Sequence, residues 1–284
     1  MAAADRGDYG TALRLIRPLA DHGDAAAQND LGAMYALGQG MPKDNAEAAY
    51  WYRKAAEQGD ASAQNNLGLM YESGEGETRD YVVAERWFRK AADQGFSPAQ
   101  FNLGDVYFNG LGVPQNDAQA LVWYSKAADQ GAPPAQFDLG VMYANGLGAP
   151  QDDVKALEWF RKAADEGFAP AQFNLGMLYA YPQSGAQPDY AEAQRWFRKA
   201  ADLGLPLAHF CLGLMYENGL GAPKDYEQAY VRFDLAASRL TLTEDAHADV
   251  AIEARDRVAA QMTSAQIAEA QRITRDWVPS TGAK

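Results

Sequence analysis

Of the side chains in this sequence that could do chemistry, His209 and Cys211 come nearest to forming a pair, either a nucleophile with its base or two metal ligands. Their spacing argues against both. Two residues apart on a helix, side chains point to different sides. His209 also stands in a column otherwise filled by Gln28, Gln64, Gln100, Gln136 and Gln172, which makes it a variant of a structural position. The chain has three histidines and one cysteine, with no Cys-x-x-Cys or His-x-x-x-His pair to hold a metal. Gly-x-Gly loops at Gly38, Gly110, Gly146 and Gly219 suggest phosphate binding, but they lack the Lys-Ser/Thr that follows a phosphate-cradling loop. The Arg-Lys pairs at Arg53-Lys54, Arg89-Lys90, Arg161-Lys162 and Arg198-Lys199 recur at fixed positions and read as a solvated basic stripe interleaved with acids. No isolated cluster of Asp, Glu or His stands out as an acid/base pair. The residues therefore nominate no catalytic group, cofactor or metal ligand, and an enzyme is not expected.

Composition narrows the function classes further. The 284 residues are 48% hydrophobic and 22% charged, with a formal net charge of −13. That is a foldable chain, and its acidity argues against nucleic acid and anionic membrane surfaces, both of which require clustered Lys and Arg. The negative charge supports solubility or steers a basic partner. Cys211 alone allows no intramolecular disulfide and leaves the compartment open. No apolar run approaches the roughly 18–20 residues of a membrane span. The opening Met-Ala-Ala-Ala-Asp-Arg-Gly has no signal-peptide core, and residues 8–22 read as the second helix of a repeat without its first. The expectation is a chain that begins inside a longer sequence, cytoplasmic as written, and periplasmic or secreted where an N-terminal signal has been removed.

The elements that carry these residues are set by a repeat. Leu-Gly-x-x-Tyr recurs at Leu31, Leu67, Leu103, Leu139, Leu175 and Leu212, with spacings of 36, 36, 36, 36 and 37. A period in this range means stacked supersecondary units, none able to bury its apolar face alone. Each repeat reads as two antiparallel helices. Leu139 and Tyr143 share one face of the first helix, and Gly140 between them invites close approach by a neighbour. Because glycine costs a helix about 1 kcal/mol relative to alanine, its recurrence implies a steric need. The second helix opens on an N-cap column, Asp8, Asp44, Asp80, Asn116, Asp152, Asp189 and Asp225. Capping boxes are expected at Asp44/Glu47, Asp189/Glu192 and Asp225/Gln228. Trp51, Trp87, Trp123, Trp159 and Trp196 follow seven residues after their caps.

The combined pattern Ala-Gln-x-x-Leu-Gly-x-Met-Tyr, Gly-x-Gly-x-Pro-x-Asp and Ala-x-x-Trp-Tyr/Phe-Arg-Lys-Ala-Ala-x-x-Gly resembles the SEL-one-like repeat (SLR), a relative of the tetratricopeptide repeat, over residues 8 to about 238. The resemblance implies an all-α, right-handed α-α superhelix of six helix-turn-helix repeats with a scaffold or adaptor role. Similar bacterial proteins are often exported and act in envelope assembly, signalling or host contact. Paired cysteines mark the branch of the family credited with penicillin binding or hydrolysis, and Cys211 alone does not carry that activity over. The expected boundaries are a partial repeat at 1–23, repeats at 24–59, 60–95, 96–131, 132–167, 168–204 and 205–238, capping helices at 239–277 and a disordered tail at 278–284. The last two helices cap the array or serve dimerisation; the cap is the preferred reading, with a monomer.

By analogy with the tetratricopeptide repeat, first-helix positions two before and two after the Leu face inward. The expected partner-binding residues are Phe101, Asp105, Phe137, Val141, Phe173, Met177, Phe210 and Leu214. Aromatic anchors amid apolar neighbours suit a peptide or amphipathic helix; alternatively, the rings pack between adjacent first helices. The loops of repeats two (Glu75, Glu77, Thr78) and five (Tyr181 to Pro188) depart from the pattern, as contact sites or as drift of tolerant surface. The sequence-based function is a non-enzymatic scaffold or adaptor for a protein or peptide. A bacterial envelope regulator or assembly factor is the first alternative, and a cell-wall hydrolase the second.

Overall fold

The structure, a computed structural model, describes residues 7–182, 186–240 and 247–280, excluding the His247 side chain. These residues form fifteen helices and no strand. A lone helix, α1 (Tyr9–Asp21), precedes six helix pairs. The first helices are α2 (Ala25–Leu37), α4 (Ala61–Ser73), α6 (Ser97–Asn109), α8 (Pro133–Asn145), α10 (Ala169–Ala180) and α12 (Pro206–Asn218). The second helices are α3 (Asn45–Glu57), α5 (Tyr81–Asp93), α7 (Asp117–Asp129), α9 (Asp153–Asp165), α11 (Tyr190–Asp202) and α13 (Tyr226–Leu240), and α14 (His247–Ala259) and α15 (Ser264–Asp276) complete the set. This is an all-α repeat fold of the solenoid class. The chain divides into two compact units, Met1–Ala135 with Gly146–Pro150 and Gln136–Asn145 with Gln151–Lys284.

In the first unit, each Leu-Gly glycine seats a ring from its own second helix. A Cβ on Gly32 would meet Tyr52 at 2.7 Å, and one on Gly68 would meet Phe88 at 2.6 Å. No real side chain tolerates such distances, so these helices touch because the Cβ is missing. Leu31, Leu67 and Leu103 are fully buried beside them, with Ala48, Ala84 and Ala120 lining the second helices. Loop geometry is as regular. Gly110 ends α6 in the left-handed conformation at φ 69°, and the Asn116 N–H then donates to the Tyr107 carbonyl at 2.9 Å.

The second unit repeats the arrangement. A Cβ on Gly140 or Gly176 would meet Phe160 or Phe197 at 2.6 Å, and Leu139, Leu175 and Leu212 are fully buried. At its C-terminal end, Val258 of α14 and Ala270 of α15 are buried in a cluster with Tyr216, Val231 and Phe233, and Ile267 and Trp277 pack against it. Arg257 donates to both Glu217 carboxylate oxygens at 2.8 Å. Residues 241–246, in the segment connecting α13 to α14, lie outside the described residues. Of the tail expected to be disordered, the Ser280 N–H donates to the Asp202 carbonyl at 2.7 Å, and residues 281–284 lie outside the described residues.

The N-cap column behaves as its residue types require: Asp44 accepts from the Glu47 N–H, Asp189 from Glu192 and Asp225 from Gln228, at 3.0–3.1 Å. The reciprocal half of the expected capping boxes does not form there. The cap N–H groups of Asp44, Asp189 and Asp225 already donate to the carbonyls of Tyr35, Tyr179 and Tyr216, leaving no donor for the third residue's side chain. At Thr263/Gln266, where no such loop precedes the helix, both halves are present.

Candidate functional site

The first helices carry the expected partner-binding residues. In the first unit, the Phe101 ring lies tilted against Tyr124 with centroids 5.7 Å apart, and Asp105 accepts from the Tyr124 hydroxyl at 2.6 Å. In the second, Phe137 packs on Phe160 and Phe168, Phe173 on Phe197, and Phe210 on Phe233, with centroids 5.5–5.7 Å apart. Each phenyl ring thus rests on the second-helix ring that covers its own repeat's glycine, and Phe137 also meets Phe168 at the start of the next first helix, α10. All four are half-buried, as are Asp105, Val141, Met177 and Leu214. Burial raises the Asp105 pKa, which the Tyr124 hydroxyl partly offsets by donating to the carboxylate.

Between successive first helices runs a groove that column-by-column reading of the sequence misses. In the first unit it lies between α2 and α4, about 360 Å³, with Ala36, Tyr52, Leu69 and Met70 lining it and Glu72 at its edge. In the second it lies between α8 and α10, about 260 Å³, with Ala144, Phe160, Met177 and Leu178 at the equivalent positions and Val141 beside them. Leu69, at 39% exposure, shows the groove is open to solvent. The sequence signal was partial: two residues after the Leu stand Leu69, Val141 and Met177, apolar side chains outside the buried core, but Asp105 occupies the same column.

The basic residues of the second helices are not a free stripe. Arg53, Arg89, Arg161 and Arg198 each donate to the tyrosine hydroxyl eighteen residues on, at Tyr71, Tyr107, Tyr179 and Tyr216. Lys90, Lys126, Lys162 and Lys199 lie 3.7–4.1 Å above the ring centroids of the tryptophans three residues before them. A second ladder ties the glutamine column. Gln28, Gln64 and Gln100 donate to the carbonyl eight residues earlier and accept from Gln58, Gln94 and Gln130. At the corresponding C-cap of α11 stands Leu203, and the Gln172 Oε1 is buried without a donor.

His209 and Cys211 do not form a reactive pair. His209 is fully buried, its pKa lowered to about 3 by burial and by the Arg232 and Arg239 charges, and its ring lies edge-on to Trp277 at 5.0 Å. Burial pushes the Cys211 thiol up to about 12, which keeps it protonated and non-nucleophilic. Among the described residues, no group of three or more His, Cys, Asp or Glu is placed to hold a metal ion, and no helix is long and apolar enough to cross a membrane.

The two divergent loops have local consequences. In repeat two, Glu77 pairs with Arg53, and Glu75 accepts from Asn45 at 3.0 Å. In most repeats the second loop glycine abuts the start of the preceding second helix, as Gly112 does on Tyr81, 2.5 Å from where its Cβ would stand. Repeat five lacks that glycine, and an apolar cavity of about 290 Å³ opens beside Leu157, Leu178 and Pro182. Residues 183–185 of that loop lie outside the described residues.

Comparison with known proteins matches the Sel1 repeat six times, at residues 25–60, 61–96, 97–131, 133–168, 169–205 and 206–238. A Sel1 repeat protein from Oxalobacter formigenes is 36% identical over 84% of this chain and 97% of its own, with a TM-score of 0.77. A protective antigen present in uropathogenic Escherichia coli strains, displaying an SLR fold, is 28% identical over 94% of this chain and 71% of its own, with a TM-score of 0.58. No match is found among curated proteins. The chain belongs to the Sel1 repeat family, whose members are tetratricopeptide-like, generally mediate protein–protein interaction and are generally non-catalytic.

Proposed function

We propose that this protein is a non-enzymatic scaffold or adaptor that binds a protein or peptide segment on the face formed by its first helices. The observation that carries this reading is the recurrent groove between successive first helices, apolar and open in both units. Its walls stand on helices whose glycines seat second-helix rings, so the groove is rigid before binding and little backbone order is lost when a partner enters. Val141 and Met177 line it in the second unit; Phe101, Asp105, Phe137, Phe173, Phe210 and Leu214, half-buried on the first helices, are the further contact residues of this reading. Helices α14 and α15 act as the array's cap, since they cover the last repeat's apolar side chains.

The test is capture of partners from source-cell extract with the intact chain and with a Val141→Glu/Met177→Glu variant. These positions are preferable to the phenylalanines, which also support Phe160 and Phe197. A partner that binds the intact chain and not the folded variant supports the reading. Equal capture by both moves binding to the 181–188 loop or the second helices.

A further inference from the structure

The six first helices contain no Lys or Arg, while Asp30, Glu72, Asp105, Asp138 and Glu217 all lie on them. The cations are placed on the second helices, the loops and the terminal helices, and many are engaged there with tyrosine hydroxyls and tryptophan faces. The first helices therefore carry carboxylates and no cation of their own, although Arg257 of α14 already pairs with Glu217.

The α2/α4 groove of the first unit is where this matters most. Leu69 and Met70 form an apolar wall, and Glu72 stands at its edge, one helical turn beyond. Burial and the neighbouring Asp105 charge raise the Glu72 pKa. No hydrogen bond or ion pair to Glu72 is found among the described residues. On the far rim, Glu75 already faces Lys43 at 3.8 Å. A half-buried carboxylate with no cation is unfavourable alone and improves when one arrives, because desolvation strengthens the pair. The equivalent α8/α10 groove has no lining carboxylate, so it serves as an internal control.

We infer that the α2/α4 groove docks a basic protein segment, one that seats an apolar side chain against Leu69 and Met70 and places a Lys or Arg beside Glu72. This rests on the proposed function and specifies its partner's chemistry. Carboxylate-rich segments and free C-termini are disfavoured there by like charge.

The probe is a random peptide display library selected on the intact folded chain. The expected winners carry Leu, Ile, Met or Phe within a few positions of Lys or Arg. A synthetic winner should lose about tenfold or more in affinity on Glu72→Lys, less on Glu72→Gln, and weaken as salt rises. Circular dichroism on both variants checks the fold. Acidic or uncharged winners, no winners, or affinity indifferent to Glu72→Lys would overturn the inference. So would self-association of the chain through this groove, detected by sedimentation and abolished by Leu69→Glu. If Glu72→Lys leaves binding intact while Val141→Glu/Met177→Glu removes it, the proposed function stands and only the basic-segment inference fails.

Discussion

Single residues account for much of this fold. The Gly140 position has no space for a methyl group, since a Cβ would sit 2.6 Å from the Phe160 ring. Gly140→Ala gains helix propensity of about 1 kcal/mol, yet overpacking a tight interface commonly costs about 1–3 kcal/mol. Because the whole helix pair must part, the clash outweighs the gain, and urea unfolding should show a net loss of up to about 2 kcal/mol. A stabilised variant would mean the ring moves aside freely. His209 makes a second prediction. It stays neutral in the folded chain down to about pH 3, against an ordinary value of 6.5. Between those values the unfolded chain binds more protons than the folded one, so this group's contribution to stability falls as pH drops from about 6.5 towards about 3. The slope from one proton is at most about 1.4 kcal/mol per pH unit. His209→Gln restores the column's usual residue and should flatten that part of the stability–pH curve relative to the parent; identical curves would show that His209 does not titrate across folding.

At the scale of elements, polar ladders join neighbouring repeats alongside the leucine core: the Gln64 amide donates to the Ala56 carbonyl of the preceding repeat at 3.0 Å. The Gln94 amide donates to the buried Gln64 Oε1 at 2.8 Å. Gln94→Ala leaves that oxygen without its donor and should cost about 1–2 kcal/mol in thermal or urea unfolding; no change would show that water replaces the bond. The helices, their caps and the glycine columns were legible in the sequence because each recurs and each has a local cause. Bonds made across repeats were not. The Arg89–Tyr107 contact spans eighteen residues and depends on how helices stack, so a solvated stripe was the natural reading of the Arg-Lys pairs. The capping boxes at Asp44, Asp189 and Asp225 were over-read for a related reason: a carbonyl of the preceding helix takes the cap N–H, a bond no short motif reveals. The phenylalanine columns were legible as inward-facing positions, but their packing on Tyr124, Phe160, Phe197 and Phe233 was not, because it follows from the glycine beneath each ring.

Across the molecule, an array of helix pairs ends in apolar surface unless something covers it. Removing residues 263–284 takes Ile267, Ala270 and Trp277 away from Tyr230, Val231 and Phe233. The shortened chain should associate with increasing concentration in sedimentation, whereas the intact chain should not; a shortened chain that stays monodisperse would remove α15 from the capping role. The same architecture presents the recurrent first-helix groove, and the central claim is that partners bind there. Hydrogen exchange measured with and without a saturating captured partner tests it most directly. The account predicts slowed exchange concentrated in first helices, at α2 and α4 in the first unit or α8 and α10 in the second, with α3, α5, α9 and α11 unchanged. Protection confined to those second helices or to the 181–188 loop, with the first helices unaffected, would contradict it.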